Sequence, residues 1–174
     1  MYYPVVGQER DLDYVFLGSA HFEKWPRYYE YFRNVLAARP GAIVGTGWSF
    51  AVRDWLPEDV HRKLYARARV GLNLHVPFQI EAASELNERA YNLAACGVPQ
   101  LLDHPALLPQ RFDPRSLYVA STPAEYEQLF HRILARPAEA AERADRALEE
   151  VLTRHTIFHR ADRFLDNVTA RLAP

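Results

Sequence analysis

The sequence predicts an α/β fold: a Rossmann-like three-layer domain around a parallel sheet of about six strands. Short apolar runs recur along the chain, among them Tyr14-Val15-Phe16-Leu17, Ala42-Ile43-Val44, Val70-Gly71-Leu72 and Val98-Pro99-Gln100-Leu101-Leu102. They are too uniformly apolar for strands with one wet face, so both faces should be covered. Between them lie longer stretches with apolar residues at helical spacing. Strand and helix alternate to the end of the chain, which calls for parallel pairing with helices on both faces.

The elements follow in order. Residues 13–17 form the first strand, leaving through Gly18-Ser19. Residues 22–38 read as an aromatic-rich helix stopped by Arg39-Pro40-Gly41. Residues 42–45 are a strand that exits through Thr46-Gly47-Trp48, and residues 50–53 read as a further short strand. A helix over 58–68 precedes a strand over 69–75, then a loop over 76–83. The central stretch, 84–103, reads as a helix, a tight stop and a buried strand. Ser84 is its expected N-cap, Leu86, Ala90, Leu93 and Ala94 its buried face, and Gly97 and Pro99 its stop. A turn over 105–111 and an edge strand over 117–119 follow. Helices are then expected over 123–136, from Pro137 to about Leu152, and over 156–172, the last amphipathic.

Composition narrows the function. The chain has 174 residues, about half of them hydrophobic and 13% aromatic, enough for a real core in one domain. A formal net charge of -1 gives no global pull toward nucleic acid or an acidic membrane. No apolar run is long enough for a membrane span. The lone cysteine, Cys96, excludes an internal disulfide and fits a reducing cytoplasm. Met1-Tyr2-Tyr3-Pro4 stands just before the first strand, as in the second half of a larger enzyme cut at its linker.

The run Arg89-Ala90-Tyr91-Asn92-Leu93-Ala94-Ala95-Cys96-Gly97, followed by Asp103, resembles the signature of the spore-maturation (CgeB-like) glycosyltransferases, Arg-x-aromatic-Glu-Ala-x-Ala-Cys-Gly. More distantly it is similar to the Glu-Ala-x-Ala-Cys-Gly segment of retaining glycosyltransferases with the GT-B fold. The likeness continues through Pro123-Ala124-Glu125-Tyr126 and through Arg154-His155-Thr156, then His159-Arg160. It covers the second half of the chain well and the start loosely. The resemblance implies the C-terminal, donor-binding half of a GT-B enzyme, with residues 1–174 as one such domain and the N-terminal acceptor domain absent from this chain. It implies a nucleoside-diphosphate sugar as ligand, no metal and no cofactor, and a partner that is either the missing domain or a second copy. Transfer activity is expected only when the two halves are joined. One position departs: the family's Glu is Asn92 here, which can donate and accept but cannot make a charge-assisted bond. The same architecture also serves one half of a nucleotide-sugar epimerase, and the loss of the Glu would also suit a non-catalytic binding module.

In parallel sheets ligands bind beyond the carboxyl ends of the strands. The candidate donor and diphosphate residues are therefore Gly18, Ser19, His75, Ser84, Asn87, Arg89 and Asn92, and the candidate base-binding residues are Gly47, Arg53 and Trp55. No catalytic residue is assigned. Arg89 could reach a diphosphate with its forked donors or pair with Glu85 one turn away. His75 is equally a structural histidine, and Trp48 fits a hydrophobic cluster under a loop. His155 and His159 lie one turn apart without a third ligand of zinc type.

Overall fold

The computed structural model describes residues 1–20, 24–36, 39–48, 56–82 and 85–172. Its strands are β1 (Leu12–Leu17), β2 (Gly41–Val44), β3 (Ala68–Asn73), β4 (Gln100–Leu102) and β5 (Tyr118–Val119). Its helices are α1 (Trp25–Leu36), α2 (Glu58–Arg67), α3 (Pro77–Glu81), α4 (Glu88–Ala95), α5 (Pro123–Ala135), α6 (Pro137–Arg154) and α7 (Ile157–Leu172). The described residues form a five-stranded sheet in the order β2-β1-β3-β4-β5, every pair parallel. The further strand expected over 50–53 lies outside the described residues. The order reverses between β1 and β3, and that switch point opens a crevice at the carboxyl ends.

Strand periodicity divides the core. Tyr14 and Phe16 of β1 face α1 and α5 with Val70, Leu72 and Leu101. Val15 and Leu17 face α2 and α4 with Tyr65, Leu93 and Cys96. α1 meets the sheet through Tyr28, Tyr31, Phe32 and Val35, all buried at positions i, i+3, i+4 and i+7. Phe16 stands edge-on to Tyr28 at 5.3 Å and to Phe32 at 5.1 Å between ring centroids. Each such ring contributes roughly 1.5–3 kcal/mol through burial. α6 covers the outer side of α4, closing Ala90 and Ala94 against Ala147 and Val151.

The central helix is shorter than expected. It begins at Glu88, and Asn87 rather than Ser84 is its N-cap, with Oδ1 accepting from the Ala90 N–H at 3.2 Å. Ala90, Leu93 and Ala94 are its buried face. Part of the expected loop over 76–83 is instead the short helix α3, started by Pro77 and closed by the Gln79 side chain accepting from the Val76 N–H. At the opposite end of the sheet, Arg10 donates to the carbonyls of Ala68 and Gly97, tying β3 to the turn after α4. α7 buries no residue, and Ile157, Phe158, Phe164, Leu165 and Leu172 all remain exposed.

Candidate functional site

The exits of β1 and β2 are bound together. Gly18 N–H donates to Val44 O at 2.8 Å, Ala20 N–H to Thr46 O at 2.8 Å, and Thr46 Oγ1 to Ser19 Oγ at 3.0 Å. Gly45 holds a φ of 146°, and a Cβ there would stand 2.2 Å from Gly18 O. This glycine serves the contact between two loops. Gly47 belongs to the same turn but does not line the cavity beside it.

That cavity is about 400 Å³. Leu17, Gly18, Ser19, Val44 and Gly45 form its floor, Tyr2, His61 and Tyr65 one wall, and Asn87, Glu88, Arg89 and Asn92 the opposite wall along α4. Burial pushes the Tyr65 phenol well above its usual range, so this hydroxyl stays neutral.

Arg89 is the cation of the cavity. Its Nε donates to Leu17 O at 2.7 Å and its Nη1 to Asn73 Oδ1 at 3.1 Å. The guanidinium lies 4.2 Å from the Phe16 ring centroid. A Cβ on Gly18 would meet Nη2 at 2.1 Å, so the bare glycine makes the space that Arg89 occupies. The alternative surface pair with Glu85 does not form; Glu85 accepts from Gln79 Nε2 at 2.8 Å instead.

Beneath Arg89 lies a layer of amides. Asn73 and Asn87 exchange hydrogen bonds, Nδ2 to Oδ1, at 3.0 and 2.8 Å. Asn73 Nδ2 also donates to Gln100 Oε1 at 3.0 Å, and Gln100 Nε2 to Ala90 O at 3.1 Å. Asn73 and Gln100 are buried, so these bonds offset a desolvation cost that would otherwise stand uncompensated. They also fix the start of α4 over the crevice and aim Arg89 along the strand ends. The Asn92 side chain, by contrast, makes no hydrogen bond among the described residues and faces the cavity.

His75 is buried apart from this wall. Its Nδ1–H donates to Asp103 Oδ1 at 2.6 Å, its backbone N–H donates to Asp103 Oδ2 at 3.0 Å, and Arg27 Nη2 donates to the same Oδ2 at 2.7 Å. His75 Nε2 and the Tyr28 hydroxyl have no hydrogen-bond partner among the described residues. Trp48 is core: it donates Nε1–H to Gly18 O at 2.7 Å and stacks on Tyr28. Burial pushes the Cys96 thiol up to about 12, which leaves it an inert core group. Among the described residues no group of three His, Cys, Asp or Glu is placed to hold a metal ion, and no helix is long and apolar enough to cross a membrane.

Of the residues expected at the site, Gly18, Ser19, Asn87, Arg89 and Asn92 converge on one cavity, while His75 does not line it. Asn87 is chiefly the cap of α4. Ser84, Arg53 and Trp55 lie outside the described residues. Sequence reasoning missed the wall of Tyr2, His61 and Tyr65, which comes from two separate segments. It also missed the amide layer, whose one sequence signal is a polar Asn73 and Gln100 inside strands that are otherwise apolar.

No curated protein matches the chain by sequence. The fold is similar to the C-terminal domain of a glycosyl transferase group 1 family protein (LpcC) from Francisella tularensis, at 10% identity and a TM-score of 0.59, over 90% of this chain and 96% of that one. It is also similar to sucrose-phosphate synthase from Thermosynechococcus elongatus, at 15% identity and a TM-score of 0.72, over 98% of this chain and 50% of that one. A third likeness is to T4 phage BGT, solved with its UDP-glucose substrate, at 11% identity and a TM-score of 0.70, over 87% of this chain and 46% of that one. The chain thus spans about half the length of the latter two. These likenesses place the fold among the C-terminal domains of GT-B glycosyltransferases. Residues 16–166 match the model of the family described as glycosyl transferase-like, and the chain belongs to that family.

Proposed function

We propose that this chain is the donor-binding domain of a glycosyltransferase and that the cavity over β1 and β2 takes a nucleoside-diphosphate sugar. The observation that carries this reading is the convergence of Gly18, Ser19, Arg89 and Asn92 on one cavity at the switch point of the sheet. Arg89 presents a fixed guanidinium beside the exposed backbone of the β1 exit, an arrangement suited to a diphosphate. Asn92, one turn further along α4, is placed for a sugar or ribose hydroxyl, and its free amide can both donate and accept. In transfer, a group that holds the leaving diphosphate stabilises the charge that develops as the glycosidic bond breaks, which gives Arg89 its role. The neighbour T4 phage BGT binds UDP-glucose, which supports a uridine nucleotide as the first ligand to try. The resemblance of the run from Arg89 to Gly97 supports the spore-maturation type within this reading, with the acceptor presented by a further domain or partner.

Calorimetry with UDP, GDP and ADP tests the reading. At least one is expected to bind, and Arg89→Ala to weaken it by about 1.5–3 kcal/mol, the worth of a hydrogen bond to a charged group. Asn92→Glu is expected to change the affinity for a sugar nucleotide while leaving that for free pyrophosphate alone. No binding of any nucleotide, or binding indifferent to both substitutions, overturns the proposal.

A further inference from the structure

A second cavity, also about 400 Å³, lies on the other side of α4, between that helix and α7. Arg111, Arg160 and Arg163 converge on it, against the single carboxylate of Glu85, which is bonded to Gln79. Other arginines of the neighbouring segments have carboxylate partners: Arg115 pairs with Asp113, Arg146 with Glu142 and Arg154 with Glu150. The Arg111 guanidinium makes no hydrogen bond or ion pair among the described residues. The Arg160 guanidinium makes none either; it lies only over the Tyr91 ring, 4.9 Å from the centroid. Arg163 spends its Nε and Nη2 on the carbonyls of His159 and Arg154, which hold it in place as a fixed charge. The same excess of positive charge reaches His155 in the cavity wall: after burial, Arg154, Arg163 and Arg111 act to hold its imidazole below the usual value.

Two arginines without a carboxylate partner, converging with a third in one concavity, favour an anionic ligand, whose charged group their forked donors can bind. The remaining wall is Tyr91, Leu86, Leu107 and Phe164, apolar and partly aromatic. The volume matches a small molecule. We propose that this cavity is a second ligand site, distinct from the nucleotide cavity, for an anionic sugar bearing a phosphate or a carboxylate. Its charged group meets Arg111 and Arg160, and the apolar face of its ring lies against Tyr91 or Phe164. Because Tyr91 and Asn92 are neighbours on α4, such a ligand would sit one helix width from the nucleotide cavity, as an acidic acceptor or an effector would. The inference does not depend on the donor reading.

The test is calorimetry on the whole chain with glucose 6-phosphate, glucuronate, inorganic phosphate and neutral glucose at fixed ionic strength. Both anionic sugars are expected to bind at least tenfold more tightly than glucose, and glucose 6-phosphate more tightly than inorganic phosphate. Arg111→Gln and Arg160→Gln together should weaken both sugars by tenfold or more without lowering the melting temperature. Asn92→Ala should leave them unchanged. Equal affinity for glucose, equal affinity for inorganic phosphate, or binding indifferent to the arginine pair overturns the proposal. So does displacement of glucose 6-phosphate by a saturating nucleoside diphosphate, which would place it in the first cavity.

Discussion

Gly18 and Arg89 form a matched pair at the residue scale. The guanidinium occupies the space where a side chain on Gly18 would lie, with 2.1 Å between Nη2 and a Cβ built there. Gly18→Ala should therefore push Arg89 off Leu17 O and Asn73 rather than unfold the domain, since a long side chain can swing away. Nucleotide affinity is expected to fall by about 1–3 kcal/mol, close to the loss in Arg89→Ala; calorimetry on the two variants checks this. His155 makes a pH prediction. Burial first, then the cations of Arg154, Arg163 and Arg111, lower it from 6.5, against the opposing bond to Arg111 O. The unfolded chain therefore binds more protons than the folded one between the folded value and 6.5, so stability rises with pH through that window and is lost on acidification. His155→Phe keeps a ring against Tyr91 and Phe112 and should flatten the melting-temperature profile between about pH 5 and 7. An unchanged slope would show that His155 does not contribute.

At the scale of elements, the Asn87 side chain is the hub of the bonds that hold the start of α4. Asn87 caps the helix and pairs with the buried Asn73. Asn87→Ala removes the cap and leaves part of a buried amide unsatisfied, so a loss of about 1–3 kcal/mol in denaturant unfolding is expected. Nucleotide binding should suffer as well, because α4 aims Arg89. α7 is the opposite case. Its apolar stripe buries nothing, so Ile157→Glu or Leu165→Glu should alter stability by no more than about 0.5 kcal/mol while raising solubility. A larger loss in either variant would mean that the stripe is covered within the folded chain.

On the scale of the whole molecule, the candidate cavity opens at the carboxyl ends of the strands, at the switch point of the sheet. The likeness spans 50% of the length of sucrose-phosphate synthase and 46% of that of T4 phage BGT. Holding two reactants in register can contribute about 7–11 kcal/mol to lowering a barrier. The 174-residue chain is accordingly expected to bind nucleotide yet transfer no sugar, as read by release of labelled product with a panel of acceptors. Robust transfer by the chain alone would refute this. The core itself should behave as one unit: Leu93 packs against Gly71 across the α4–β3 contact, and Leu93→Ala should cost about 2–5 kcal/mol by leaving a cavity.

The periodicities determined the architecture. A run such as Tyr14-Val15-Phe16-Leu17 can satisfy both of its faces only inside a covered parallel sheet, and Tyr28, Tyr31, Phe32 and Val35 can share a face only on a helix. These are local constraints, so they were legible without coordinates, as were the strand exits that carry Gly18, Ser19 and the α4 residues Arg89 and Asn92. The start of α4 was not. Ser84 and Asn87 both have capping side chains, and the choice fell to Asn87 because Asn73, from a different strand, offers it a buried partner. The same holds for Arg89: its neighbour Glu85 suggested a surface pair, but Leu17 O and the gap over Gly18 lie 72 and 71 positions away along the chain. His75, at a strand end, reads from sequence as either a ligand or a structural histidine, and only the fold shows the bond to Asp103 that holds it in the interior. Sequence determines which groups are polar and where the chain must turn; only the tertiary structure decides which distant polar group reaches another first, because a buried hydrogen bond is worth making only to the partner that folding brings within 3 Å or so.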